Sequence, residues 1–261
     1  MSIILTLAKK TIYYVASLLN VNIEDVVERY IQTLTAHRFF SGLLAVFLLP
    51  PKFRESPLLF VHIPRSGGSS ISSLLYGQSV GHFTAPSLKA LLEPFGQPPT
   101  SFAVMRDPVQ RCVSSYKFIR DGGAENARLH KYWRKRLRFI GNFDEYLTFL
   151  EYNISRLNRL DFVMREQSSF LTRDGELVVD YLYCWEIDKL TLTAMLQENG
   201  FFNLDIINRS GGNEITPTET QISRMKVIYA RDYDLLKRIA SGSDCSLVKR
   251  EAEASPFQEP S

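Results

Sequence analysis

Cysteine is scarce: Cys112, Cys184 and Cys245 are the only three in 261 residues, and no two stand in CxxC spacing. Their odd number and wide separation suggest neither a disulfide framework nor a zinc site, and a reducing, cytoplasmic setting is the simpler expectation. Long hydrophobic runs are missing as well. The longest near the front, residues 43–51, is too short to span a bilayer, and the stretch from Ile3 is interrupted by Lys9 and Lys10. No transmembrane anchor or secretory signal is read there. An excess of one charge is also absent, since 31 Lys and Arg face 28 Asp and Glu for a net charge of +3. That balance argues against coating nucleic acid, and it requires any bound anion to be held locally.

What is present fits a globular protein. Hydrophobic residues make up 45% and charged residues 23% of the chain, enough for a sizeable core in one α/β domain with embellishments. No repeat of solenoid period occurs. Three regions are expected: a helical preface over residues 1–57 packed on the main domain, the main domain over 58–240, and a flexible polar tail over 241–261. Residues 11–34 place apolar side chains at helical spacing, which gives one or two amphipathic helices and admits peripheral contact with a membrane surface.

The main domain opens on Leu58-Leu59-Phe60-Val61, a short apolar run that reads as a buried parallel strand. A glycine-bearing loop and a helix over residues 69–76 follow. The same order recurs with a strand at 101–105 and a helix at 109–118, for which Asp107 is the N-cap and Pro108 the first residue. Residues 121–172 read as mainly helical after the breaker Asp121-Gly122-Gly123. A third strand is expected over 178–185 and a helix over 189–198. The last helix should start at Thr216 as N-cap, with Glu219 completing a capping box, and run through Leu236.

Two segments carry chemistry. The first is His62-Ile63-Pro64-Arg65-Ser66-Gly67-Gly68-Ser69-Ser70, a cation, two glycines and hydroxyls between a strand and a helix. Such a loop lets backbone N–H groups approach an anion, although a plain strand-to-helix turn would look similar. It lacks the GxxxxGK[ST] spacing of a P-loop NTPase. The second is Arg106-Asp107-Pro108-Val109-Gln110-Arg111-Cys112-Val113-Ser114-Ser115-Tyr116. Arg111 has two readings, as part of this motif or as a partner of Asp107 one helical turn earlier.

Together these segments resemble the two cofactor loops of PAPS-dependent sulfotransferases, whose usual forms are HIPKTGGTS and RDPxxRxxSxY. The nearest likeness is to carbohydrate O-sulfotransferases of the heparan and dermatan 2-O type. The resemblance implies a P-loop-like three-layer α/β fold with a central parallel sheet flanked by helices. It implies 3′-phosphoadenosine 5′-phosphosulfate (PAPS) as cofactor, with Arg65, Ser66, Gly67, Gly68, Ser69 and Ser70 at the 5′ side and Arg106 and Ser114 at the 3′-phosphate. Residues 207–212 are similar to a late loop that closes over the nucleotide, which adds Arg209 and Ser210. Residues 229–236, YARDYDLL, resemble the family's C-terminal helix and are expected to serve packing. The likeness covers residues 58–118 well and the stretch to 236 loosely.

The same resemblance makes His82, in Gly81-His82-Phe83, the base that takes a proton from the acceptor hydroxyl, with a carbohydrate as the implied acceptor. Neutral imidazole suits that task. A loop histidine that only packs on Phe83 is the alternative, and Glu93 or Glu186 are weaker candidates for the base. His62 reads as a packed support, while His37 and His130 have no motif around them. Arg65 stands where the family usually has lysine; it brings permanent charge and a planar fork of donors, and leaves open whether turnover is slower. The basic run over 128–138 is either a solvated helix face or a clasp for an acidic sugar. No metal is demanded. Two other readings remain: a small-molecule kinase, and a catalytically silent nucleotide-binding adaptor.

Overall fold

The run Leu58-Leu59-Phe60-Val61 has no polar face, so it can be stable only where it is covered on both sides. In the computed structural model, which describes residues 38–78, 80–124, 127–129, 131–204 and 215–240, it forms β1 (Leu58–Val61) with all four residues buried. β2 (Thr100–Met105) and β3 (Tyr181–Cys184) complete a three-stranded parallel sheet in the order β1-β2-β3. Leu59 lies opposite Ser101, and Ala103 opposite Leu182. Parallel neighbours require long crossovers, and here these run through helices, giving a mixed α/β architecture.

The helices that matter below are α1 (Arg38–Leu48), α2 (Gly68–Tyr76), α3 (Ala85–Leu92), α4 (Pro108–Arg120), α5 (Phe143–Tyr152), α6 (Lys189–Glu198), α7 (Glu219–Ile228) and α8 (Ala230–Ala240). Two apolar clusters hold them. One surrounds the sheet and takes in Ile71 and Leu75 of α2 and Leu88 and Leu91 of α3; Ala45, Leu48 and Phe53 from the preface belong to it too. Phe53 stacks on Tyr76 at 4.3 Å between ring centroids. The other joins α4, α5 and α7 through Tyr116, Tyr146, Leu150, Met225 and Ile228. Among the described residues, no helix is long and apolar enough to cross a membrane.

Two expectations about the last helix are corrected. Its N-cap is Thr218, not Thr216: Thr218 Oγ1 accepts the Gln221 N–H, and Gln221 Oε1 accepts the Thr218 N–H. Both threonines have a capping residue three positions on, but Gln221 also donates to Asp144 Oδ2 on α5 at 3.0 Å, a contact that the sequence does not reveal. The helix also breaks at Tyr229, whose hydroxyl donates to the Met164 carbonyl. The break lets α8 turn its Asp232 inwards, for reasons given below. The third strand is shorter than expected, residues 181–184 instead of 178–185. Residues 11–34, His37, His130, Arg209, Ser210 and the tail over 241–261 lie outside the described residues.

Candidate functional site

The first loop leaves β1 at its carboxyl end and enters α2 through Gly67, in the left-handed region at φ 77°. Glycine occupies that region without steric cost, whereas Arg65, at φ 66°, is a non-glycine residue in the same region and a strained one. Gly67 offers no side chain to cap the leading N–H groups of α2. Ser66 and Ser70 are buried and Ser69 is half-buried. Gly68 is glycine for a contact reason: a Cβ there would overlap the His62 ring. Gly68→Ala should therefore displace His62, at a cost of about 1–3 kcal/mol typical of overpacking. Thermal unfolding should show Tm lowered by several degrees; an unchanged Tm would mean that the ring moves freely.

The second loop leaves β2, the neighbouring strand, at the same end of the sheet. Asp107 caps α4 through a 2.9 Å bond from the Gln110 N–H, with Pro108 following, as the sequence implies. Arg106 donates to Gln110 Oε1 at 3.0 Å and faces Glu186 at 3.6 Å, while Glu186 also accepts the Asp107 N–H. Glu186 thereby supports Arg106 and the start of α4. Glu93 is exposed on the short turn after α3.

The two loops touch. Arg65 Nε donates to Ser114 Oγ at 3.0 Å, and its guanidinium lies 5.2 Å from the Phe118 ring centroid. Burial, followed by the charges of Arg106 and Arg111, pulls Arg65 below the ordinary guanidinium value. Residues that the resemblance assigns to opposite ends of a nucleotide thus meet in one cationic cluster.

Arg111 does not pair with Asp107. It is 1% exposed and donates to three carbonyls: Pro64 at 3.0 Å, Arg165 at 2.7 Å and Phe162 at 3.4 Å. The three carbonyls take up the guanidinium donors, Asp232 supplies the opposing charge, and together they tie α4 to the first loop and to the segment before residue 168.

Sequence reasoning missed Gln167, and no local signal marks it. This fully buried amide accepts from Ser66 Oγ and from the Arg106 N–H, both at 3.0 Å, and donates to the Arg106 carbonyl at 2.8 Å. Its own N–H and that of Ser168 donate to the two oxygens of Asp232, at 3.0 and 2.8 Å. Asp232 is fully buried and serves as a hydrogen-bonding anchor within YARDYDLL, while Tyr229 and Leu235 of the same segment pack in the apolar clusters.

Comparison with family models, with curated proteins and with solved structures returns no match.

His82 sits beside the first loop with His62 between them, the two imidazole centroids 4.4 Å apart. Its Nδ1–H donates to the His62 carbonyl at 3.1 Å, which leaves the lone pair on Nε2. His62 Nδ1–H donates in turn to the Val80 carbonyl at 3.3 Å. Burial pulls both below the ordinary imidazole value, and for His62 the neighbouring His82 adds to the shift while the Val80 carbonyl opposes it. For His82, the His62 carbonyl and Asp161 oppose the shift, while Arg111 and Arg165 reinforce it. Both rings are neutral at pH 7. The basic run ends as a mostly exposed face, with Arg134, Lys135 and Arg136 in solvent and Leu137 buried beneath. Among the described residues, no group of three or more His, Cys, Asp or Glu side chains is placed to hold a metal ion.

Proposed function

We propose that this protein is a PAPS-dependent sulfotransferase of P-loop-like type, moving the sulfuryl group to a hydroxyl on a carbohydrate. One observation carries the reading. Arg65 and Arg106, with Arg111 behind them, converge beside the N-terminus of α2, whose N-cap residue is a glycine, at the carboxyl ends of two adjacent parallel strands. Arg65 and Arg106 are half-buried and Arg111 is buried, and Glu186 meets Arg106 alone of the three, so an anion with two phosphate groups gains cations and N–H donors at once.

The reacting groups balance without further reagents. The acceptor O–H gives its proton to His82 Nε2, its oxygen forms a bond to sulfur, and the bond from sulfur to the 5′-phosphate oxygen breaks. Arg65 and the loop N–H groups stabilise the charge that grows on the departing phosphate. The lone pair on Nε2 and the neutral state of His82 support its role as the base.

Calorimetric titration with 3′-phosphoadenosine 5′-phosphate, against AMP and ATP with Mg²⁺, tests the reading. Binding should depend on the 3′-phosphate and weaken at least tenfold in Arg106→Ala, the scale of one lost charge-assisted contact (~1.5–3 kcal/mol). Preference for ATP with Mg²⁺ would replace the reading with phosphoryl transfer, and absence of nucleotide binding would remove it.

A further inference from the structure

The amide of Gln167 bonds to both anion loops at once through atoms of its own terminal group. Its carbonyl oxygen holds Ser66 in the first loop and the Arg106 N–H in the second, and its NH₂ group holds the Arg106 carbonyl. An amide is planar and rigid, and this one is fully buried, so the three bonds fix where one loop stands relative to the other. Asp232 fixes the amide's own backbone from the far side. Arg65 and Ser114 also touch across the loops, but that is a single bond between two loop residues, whereas the Gln167 amide makes three.

We infer that Gln167 is a positioning residue for selectivity: it sets the distance between the two loops, and so makes the site prefer a nucleotide phosphorylated at both the 3′ and 5′ positions over one with a 5′-phosphate alone. The inference rests on the proposed nucleotide site and adds what creates its preference. A 5′-phosphate alone needs only the first loop. A second phosphate adds affinity only when the second loop stands in register with it, because contacts misplaced by about 1 Å lose most of their worth.

Gln167→Met tests this, since methionine fills a similar volume and makes none of the three bonds. Wild-type and variant protein are titrated with 3′-phosphoadenosine 5′-phosphate and with AMP. Affinity for AMP should stay within about twofold, while the preference for the bisphosphate falls tenfold or more, roughly 1.4 kcal/mol. A merely structural role would weaken both ligands alike, and that result, or an unchanged ratio, overturns the inference. Should Gln167→Met fail to fold, Asp232→Asn takes its place. It loosens the Gln167 backbone and leaves the side chain intact, so the ratio must fall there too; an unchanged ratio overturns the inference. If the wild-type protein itself shows no preference, the nucleotide reading fails first, and that failure is visible without any variant.

Discussion

Arg111→Met is expected to lower the unfolding free energy by about 3–5 kcal/mol, the range found when one member of a buried charged network is removed. Three buried carbonyls, those of Pro64, Phe162 and Arg165, lose their donor together. Asp232, fully buried, also loses the cation whose field holds down the rise that burial imposes on its carboxyl. Domains of this kind are stable by about 5–15 kcal/mol, so the loss is a large fraction of the total. Urea denaturation followed by circular dichroism gives the answer directly. Arg111→Lys should fall between, because it keeps the charge but offers no planar fork. A midpoint unchanged in Arg111→Met would mean that water replaces the guanidinium at no cost.

The second large effect belongs to His82. Its conversion to alanine should lower kcat for sulfuryl transfer by about 10²–10⁴, the usual contribution of a general base, while affinity for 3′-phosphoadenosine 5′-phosphate stays within about twofold. The wild-type rate should fall on an acid limb below 6.5, because burial holds the folded imidazole under that ordinary value, and the variant should lack this limb. Stability follows the same sign. Both His62 and His82 bind a proton more readily in the unfolded chain, so their burial contributes stability above about pH 6.5 that is lost as pH falls towards the lower folded values. Release of the bisphosphate product across a pH series measures the first effect, and Tm across the same series measures the second. Unchanged transfer by His82→Ala would remove this residue from the mechanism.

The sheet was legible because β1 is a short apolar run with no polar face and β2 carries a similar run from Phe102 to Met105, and Asp107-Pro108 marks the start of α4 without ambiguity. Such signals are local. The capping box of α7 was misplaced by two residues because two threonines satisfy the same local pattern, and a contact with α5 decides between them. The candidate site divides along the same line. Arg65, Gly67, Gly68 and Arg106 belong to motifs and were readable. Gln167 and the partners of Arg111 were not, because nothing in a neighbouring residue demands them. Their role arises only when segments 47 to 101 residues apart in the chain are brought together.

Those separations also govern how the site comes into being. Ser66 must wait for Gln167, 101 residues later, and Gln167 for Asp232, another 65 residues on. Contacts of such long range form late, after the loop-closure entropy has been overcome. During synthesis both anion loops emerge well before the helix that fastens them. The nascent chain therefore carries the cationic cluster for some time without the geometry to select a ligand. On the proposed reading, selectivity would arrive with α8, almost at the end of the described chain, and nucleotide binding would report on completion of the fold and not only on the presence of its motifs.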